Sequence, residues 1–308
     1  MEFFTKIDIA PFPQKIDLNS RIMMLGSCFS TSIGQMLRSY GFNAQVNPFG
    51  VLFNPASIAY ACERLARPQA FEASDVIDIS QNHTQAGLQS IEDEGSAGRF
   101  CSFSHHSSFA RSSVQEFLEN ANSELERAAE FFKQADTLIV TLGTAYVFRH
   151  IAKNMIVSNC HKIVPQEFSR ELLTIGQGLE CLKRITEAAK GKHIIFTVSP
   201  VRHLADGAHG NMLSKSTLLH AINGLIKDNE LSPVENDIDY FPAFEIMMDE
   251  LRDYRFYAED MVHPSEVAVK YIFERFTEVA IEEPCKPQMI AAHKKWLFQQ
   301  HNAAVGHN

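Results

Sequence analysis

The sequence of 308 residues lacks several features that would place it in a specialised class of protein. Basic residues are in deficit, because 28 Lys and Arg stand against 37 Asp and Glu, which gives a formal charge of -9. Nucleic-acid binding relies on a surplus of Lys and Arg against phosphate, so we expect no nucleic-acid partner. No run approaches the roughly 18 uninterrupted apolar residues of a transmembrane helix, so we expect no membrane partner either.

Metal-binding and redox motifs are also missing. The six cysteines form no Cys-x-x-Cys pair, and the 13 histidines show no His-x-x-x-His or His-Glu-x-x-His spacing. The sequence therefore predicts no metal site and no other cofactor. Scattered cysteines in a chain of this size are typical of reduced thiols, and the first residues lack the apolar segment of a signal peptide. We therefore expect a cytoplasmic protein.

What the sequence does contain is enough apolar material for a large core, at 45% of residues. Short apolar runs at residues 22–25, 137–142 and 193–198 alternate with segments of helical spacing. Runs that are apolar on both faces predict a parallel sheet covered by helices. We therefore predict an α/β protein with a three-layer α/β/α fold and a mainly parallel, flavodoxin-like sheet. With no linker or repeat in view, we expect one domain over residues 1–308, with an irregular insertion around residues 70–112.

The spacing of apolar residues, together with capping and turn residues, gives a set of expected elements. We predict helices at residues 30–40, 55–67, 113–133, 169–189, 212–229, 242–251, 264–279 and 288–300. We predict further strands at residues 42–46, 75–79 and 99–103, and a hairpin of residues 146–149 and 155–157.

A strand-to-helix turn with the sequence Gly-Ser-Cys-Phe, at residues 26–29, is the first candidate for chemistry. A nucleophile at such a turn projects into a cleft, and the first amides of the helix can stabilise an oxyanion or a thiolate. Cys28 and Ser27 are the two possible nucleophiles, and a cysteine at a helix start is readily activated. The alternative is a tight turn in which Ser30 or Thr31 caps the helix.

The second candidate is the segment Asp-Met-Val-His-Pro at residues 260–264. A histidine just before a helix-opening proline lies on a loop, where a general base can face solvent. Asp260, three residues before His263, can turn back to the imidazole and fix its tautomer. The alternative is a helix entry in which His263 only caps or packs.

The Gly-Ser-Cys-Phe segment resembles the signature of the GSCFA-domain family, distant relatives of the SGNH (GDSL-type) hydrolases. Four further segments resemble that family in the same order along the chain. They are Asn-Pro-Phe-Gly-Val-Leu-Phe-Asn-Pro at 47–55, Leu-Gly-Thr-Ala at 142–145, Asn-Cys-His-Lys at 159–162 and Ser-Pro-Val-Arg at 199–202. A fifth, at 249–257, leads into Asp260 and His263. The resemblance implies an SGNH-type fold with its site at the strand ends, and it supports a fold more strongly than a reaction.

Laid over this chain, the SGNH pattern implies roles for individual residues. The Gly-Asp-Ser-Leu block of those hydrolases places Cys28 on the nucleophilic serine, while Ser27 stands one residue early. Asp260 and His263 match the final block in type and spacing. In the segment that begins at Asn47, Gly50 matches the glycine whose amide donates to the oxyanion.

The third SGNH block, Gly-x-Asn-Asp, does not match fully. Gly143 and Thr144 begin it, but Ala145 stands where the asparagine donor belongs. Losing one oxyanion donor typically costs about 10²–10³ in rate. The resemblance therefore implies either a substitute donor or a site that is not an ordinary serine esterase.

Polar residues elsewhere in the chain are candidates for the substitute donor or for binding substrate. His106, Asn159 and His161 are the possible donors, although His106 could belong to a surface pair with His105, and the other two to a structured turn. Arg202 follows a strand-end turn and could hold an anionic substrate or an acyl carboxylate.

The sequence thus favours a hydrolase of the SGNH type, an esterase or thioesterase in which Cys28 or Ser27 works with the Asp260–His263 pair. Its expected substrate is a small-molecule or carbohydrate-linked acyl compound. Two alternatives stay open: a non-catalytic module that binds a glycan or metabolite on the same fold, and an acyltransferase. The oligomeric state is left open by the sequence.

Overall fold

The computed structural model describes residues 4–79, 99–231 and 235–305. Residues 80–98, the middle of the predicted insertion, lie outside the described part. Within it, the strands are β1 (Arg21–Gly26), β2 (Asn43–Val46), β3 (Val76–Asp78), β4 (Phe100–Ser102), β5 (Thr137–Leu142), β6 (Tyr146–His150), β7 (Met155–Val157), β8 (Phe168–Leu172), β9 (His193–Val198) and β10 (Asp237–Phe241). The helices are α1 (Cys28–Ser39), α2 (Pro55–Ala66), α3 (Val114–Gln134), α4 (Ile175–Ala188), α5 (Gly207–Leu231), the short α6 (Ala243–Glu245), α7 (Glu266–Ala280) and α8 (Lys286–Val305).

A five-stranded parallel sheet forms the centre of the protein, with the strand order β10-β9-β5-β1-β2. Chain order therefore reverses between β1 and β5: the chain moves from β1 to β2 on one side and later returns to the other. In open α/β sheets ligands bind in the crevice at such a reversal, beyond the carboxyl ends of the strands. The residues that follow β1 and β5 are therefore placed where a site is expected.

Two hydrophobic layers cover the sheet, and β1 shows how the sequence creates them. Ile22 and Met24 pack into one layer, whereas Met23 and Leu25 pack into the other. This alternation follows from the two-residue period of a strand, and every one of these side chains is buried because both faces are covered. The first layer is built with α1 and α7, and the second with α2, α3, α4 and α5. The expected three-layer α/β/α fold is confirmed.

Side-chain caps define where several helices begin. The Asn54 side chain accepts from the Ser57 amide at α2, and Ser113 accepts from the Glu116 amide at α3. Such caps satisfy amides that have no partner inside the helix. At α7 the cap is Ser265, so Pro264 lies just before the helix rather than at its first turn.

Two strands were missed, and one helix was predicted to begin too early. Residues 168–172 form β8, so α4 begins at Ile175 and not near residue 169. β8 pairs with β6, which turns the predicted hairpin into a three-stranded antiparallel sheet, β7-β6-β8. β10 follows α5 and precedes α6 along the chain, where no strand was predicted. It lies at one edge of the central sheet. In the predicted insertion, β3 and β4 form a two-stranded antiparallel sheet.

The small sheet of β6, β7 and β8 begins directly after β5. It therefore lies beyond the carboxyl ends of the central strands, where the site is expected. Within the described ranges, no helix is both long and apolar enough to cross a membrane.

Candidate active site

The turn after β1 is held tightly against β5. Gly26 has a φ of +149°, and a Cβ at this position would lie 2.2 Å from the carbonyl oxygen of Thr141. Only glycine fits such an approach. The Ser27 amide then donates to the same Thr141 oxygen at 3.2 Å. The turn therefore delivers Ser27 and Cys28 to the point where the strand order reverses.

Ser27 and Cys28 differ in how far they can reach a substrate. Ser27 is the N-cap residue of α1, but its hydroxyl makes no capping hydrogen bond. The side chain is only 1% exposed, and Oγ has no hydrogen-bond partner in the described structure. Cys28 begins α1 and is partly exposed. The more accessible of the two candidate nucleophiles is therefore the thiol, at the positive end of the helix dipole.

The segment after β2 braces this turn. Asn47 has a φ of +48°, and its Oδ1 accepts from the Gly26 amide at 2.9 Å while Nδ2 donates to Thr31 Oγ1 at 3.0 Å. The Gly50 amide donates to the Asn47 carbonyl at 2.8 Å. That amide is already engaged, so the geometry does not support the expectation that Gly50 receives an oxyanion. Asn47 acts here as a brace between the turn and α1.

The end of β5 is likewise occupied by internal hydrogen bonds. The amides of Gly143 and Thr144 both donate to the Phe53 carbonyl, at 2.7 and 3.0 Å. Thr144 Oγ1 lies 2.9 Å from Ser214 Oγ, which also accepts from the Ala145 amide at 2.8 Å. Gly143 and Thr144 thus fix the loop to the segment before α2 and to α5, and their amides are not available to a substrate. Ala145 is fully buried, its side chain has no donor, and its amide is taken by Ser214.

A buried lysine that the sequence reasoning missed lies at this end of the sheet. Lys215 of α5 is fully buried, and its Nζ donates to the carbonyls of Gly143 at 2.6 Å and Ser199 at 2.8 Å. These are the residues that follow β5 and β9. Burial lowers the pKa of Lys215 to about 7, although the charges of Cys28 and Asp206 act to raise it. Lysine is almost never fully buried without a specific reason.

A signal for Lys215 was present in the sequence. The buried face of α5 follows a helical period through Leu218, Ile222 and Leu225, and Lys215 falls on the same stripe. A charged residue on an apolar stripe is an informative exception.

A second missed residue, His203, lies beside Lys215. Burial lowers the pKa of His203 to about 4, and the charges of Lys215, His263 and Arg170 also lower it. A hydrogen bond with the Gly143 backbone acts to raise this pKa. His203 is therefore neutral near pH 7. Its Nε2 has no hydrogen-bond partner in the part of the chain that the structure describes. The neighbouring Arg202 was predicted as a binding residue; its guanidinium lies 5.1 Å from the centre of the Tyr257 ring.

Asp260 and His263 form the hydrogen-bonded pair that the sequence predicted. His263 Nδ1 lies 2.6 Å from Asp260 Oδ2. Asp260 Oδ1 accepts from the amides of Val262 and His263 at 2.8 and 2.9 Å, around a turn in which Met261 has a φ of +58°. Burial alone would raise the pKa of the Asp260 carboxyl, but the hydrogen bonds from the His263 ring and these amides lower it to about 2. Asp260 is therefore ionised and holds one ring nitrogen, which leaves Nε2 for proton transfer.

Contacts between loops bring this pair to the same neighbourhood as Lys215. The Arg202 amide donates to the Val262 carbonyl at 3.2 Å, which ties the loop after β9 to the Asp260–His263 turn. His263 and Lys215 both act electrostatically on His203, and Lys215 interacts in the same way with Cys28. Electrostatic interactions through Lys215 and His203 thus connect Cys28 with His263.

Two of the three proposed substitute donors make internal hydrogen bonds with their ring nitrogens. His161 is buried, with Nε2 2.8 Å from the Ser102 carbonyl, and its amide donates to Asn159 Oδ1. His106 packs against Gly50, and its Nδ1 accepts from the Ser108 amide at 3.3 Å. His161 and His106 therefore have structural hydrogen bonds, while Asn159 lines a cleft.

That cleft has a volume of about 590 Å³ and opens between the small antiparallel sheet and the loop after β9. Thr144, Asn159, Arg202 and His203 lie on its walls. Its aromatic lining consists of Phe53, Tyr146, Phe148 and Phe168. The thiol of Cys160, also on the wall, has a pKa raised to about 11 by burial, so it remains protonated. A cleft of this size and composition fits a small organic ligand.

Comparison with known proteins identifies a family. The model of the GSCFA family matches residues 21–276, which span β1 to α7 and include every predicted site residue. No curated protein matches the chain. In the described ranges no group of three His, Cys, Asp or Glu side chains is arranged to hold a metal ion.

Proposed function

The chain belongs to the GSCFA family, and we propose that it is a hydrolase of ester or thioester bonds with Cys28 as the nucleophile, His263 as the base and Asp260 as the orienting residue. The observation that carries the proposal is the Asp260–His263 hydrogen bond of 2.6 Å, with an ionised carboxylate on Nδ1. A histidine held in this way keeps Nε2 for accepting and returning a proton. A relationship to the SGNH hydrolases is part of the proposal.

Cys28 is preferred to Ser27 on two grounds. The Ser27 hydroxyl is buried, whereas the Cys28 thiol is partly exposed. Cys28 also begins α1, where first-turn amides have no carbonyl partner within the helix and the dipole favours negative charge. The same features stabilise a thiolate before the reaction and an oxyanion during it.

The proposed reaction has two halves. The thiol passes its proton to Nε2 of His263, and Cys28 Sγ attacks the acyl carbonyl to give a tetrahedral oxyanion at the start of α1. The carbon–oxygen or carbon–sulfur bond to the leaving group breaks, and His263 returns the proton to that group. Water then gives a proton to His263 and attacks the thioester carbonyl. The bond to Cys28 Sγ breaks and His263 returns the proton to Sγ, which releases the acid and restores the thiol.

The cleft beside Thr144 and His203 supports a substrate of modest size. Its aromatic walls suit the apolar part of an acyl group or of a leaving group, and Arg202 and Asn159 offer polar contacts at the rim. We propose a small-molecule or carbohydrate-linked acyl compound as the substrate class.

The test is turnover and covalent labelling of four proteins: wild type, Cys28→Ala, His263→Ala and Ser27→Ala. Each is assayed with a panel of p-nitrophenyl esters and acyl thioesters, and intact mass is recorded under turnover. Cys28→Ala and His263→Ala should lose turnover, and Cys28→Ala should lose the acyl adduct, while Ser27→Ala keeps both. Cys285→Ala is the matched control, because Cys285 is also partly exposed.

Retained turnover in Cys28→Ala would contradict the proposal. If the wild type turns over nothing and forms no adduct, the binding module is the better description. Transfer of the acyl group to an added alcohol, faster than to water, would identify an acyltransferase with the same nucleophile.

A further inference from the structure

Lys215 is the most unusual charged residue in the described structure, because it is fully buried and the proposed reaction does not use it. It spans the ends of two neighbouring strands by donating to the carbonyls of Gly143 and Ser199. A side chain that only needed to satisfy two carbonyls would not have to carry a charge, and burying a charge is unfavourable unless it is compensated.

The position of Lys215 relative to Cys28 follows from the sheet. Gly26 pairs with Thr141 across β1 and β5, and the Ser27 amide bonds the Thr141 carbonyl. Gly143, two residues further along, carries the Lys215 ammonium on its carbonyl. Cys28 starts the helix from the same turn, and its thiol interacts with the charge of Lys215.

We propose that Lys215 is a positioning residue whose buried ammonium holds the Cys28 thiol as a thiolate. The inference rests on the proposed function for its purpose, but it concerns the thiol itself. The thiol proton passes to solvent or to His263, and the ammonium form of Lys215 keeps its two carbonyl partners. The low polarity around the ammonium strengthens its attraction for the thiolate compared with an exposed pair.

Three other titratable groups surround Lys215 and Cys28. The Asp206 carboxylate interacts electrostatically with Lys215, but it also pairs with Arg170 of β8, and the charge of Arg170 offsets its negative charge. His203 is neutral near pH 7 because its pKa is lowered to about 4 by burial. His263, on the loop before α7, is the remaining candidate for pairing with Cys28, and the experiment must separate it from Lys215.

The test follows alkylation of Cys28 by iodoacetamide from about pH 5 to pH 10, read by mass spectrometry of the peptide that contains Cys28. Only the thiolate reacts, so the pH at half-maximal rate reports the thiol pKa. In Lys215→Met the rate at pH 7 should fall about tenfold or more, which corresponds to a rise of one unit or more in the thiol pKa. Lys192→Met is the control. Lys192 is half-buried, and like Lys215 its Nζ donates to a backbone carbonyl, that of Ala135, but at the opposite end of the sheet. Its profile should match that of wild type.

Unchanged alkylation profiles in a folded Lys215→Met protein would overturn the inference. A shift in His263→Ala but not in Lys215→Met would also overturn it, and would leave the proposed hydrolase intact. Conversely, a shift in Lys215→Met with no ester or thioester turnover in wild type would support the inference and reject the hydrolase.

A second measurement keeps Lys215 in place, in case Lys215→Met does not fold. Coupling between two sites is reciprocal, so the thiolate must raise the pKa of Lys215 as much as Lys215 lowers that of the thiol. Titration of the lysine ¹³Cε signals by NMR should therefore show a lower midpoint for Lys215 in Cys28→Ala than in wild type. An equal midpoint in the two proteins would overturn the inference.

Discussion

Replacing Lys215 by methionine should change the way in which stability depends on pH. Burial lowers the pKa of Lys215 from its ordinary 10.5 to about 7. In the unfolded chain the amine recovers its ordinary value. Between these two values the unfolded state binds one more proton than the folded state, so the free energy of unfolding of the wild type rises with pH. Methionine has a similar length and no ionisable proton, so it removes this rise.

The size of the effect follows from the two pKa values. Where the proton difference is complete, the slope is about 1.4 kcal/mol per pH unit. Between roughly pH 7.5 and 9.5 the wild type should therefore gain about 2–3 kcal/mol relative to Lys215→Met. The stability gained is fully present above pH 10.5 and is lost as the pH falls towards 7, because the folded state must then hold a buried charge.

Urea unfolding at several pH values measures this directly, as the difference between the two proteins. Both proteins should carry Cys28→Ala, so that titration of the thiol does not contribute to the comparison. Lys227→Met is the matched control, because Lys227 is an exposed lysine on the same helix and its loss should leave the pH dependence unchanged. Parallel curves for the parent and Lys215→Met would refute the reasoning, since they would mean that the buried amine keeps an ordinary pKa.

Three further substitutions test the site. Asp260→Asn should lower kcat for a p-nitrophenyl ester by about 10²–10⁴, because the amide no longer fixes the His263 tautomer; an unchanged kcat would remove Asp260 from the mechanism. Gly50→Ala should cost about 1–3 kcal/mol in urea unfolding, since φ is +77° and the new Cβ would lie 2.3 Å from His106 Cβ. Ser27→Ala should change stability by less than about 1 kcal/mol, because Oγ has no partner to lose in the described structure; a loss above about 2 kcal/mol would reveal a hydrogen bond there.

The central sheet could be predicted from the sequence because its strands are buried on both faces. β1, β5 and β9 each have four apolar residues among six, and almost every position in them is buried. β8 was missed because its sequence, Phe-Ser-Arg-Glu-Leu, lacks the alternation typical of a strand and runs into a helix, and most of its side chains are half-buried. β10 is an edge strand with two aspartates, and charged residues are typical of edges but obscure the strand pattern.

The candidate site was predictable where its chemistry is local. The Asp260–His263 contact spans three residues, so spacing alone indicates it. The fate of the Gly50, Gly143 and Thr144 amides was not predictable. The Gly50 amide donates to the Asn47 carbonyl within its own turn, whereas the amides of Gly143 and Thr144 donate to the Phe53 carbonyl of another loop. Only the folded backbone determines which amides remain for a substrate.

The end of β5 brings together the alanine at position 145 and the buried lysine. Under the proposed relationship to the SGNH hydrolases this loop would supply a side-chain donor, but Ala145 supplies none, and the amides of Gly143 and Thr144 are bound to Phe53. The Gly143 carbonyl instead accepts from Nζ of Lys215, so α5 places an ionisable amine at the end of β5. A serine nucleophile needs donors chiefly for the oxyanion, whereas a cysteine also benefits from a cation that favours its thiolate. The thiol at Cys28, the alanine at 145 and the lysine at 215 are therefore consistent with one another, and exchanging Cys28 for serine alone should not produce an efficient serine esterase.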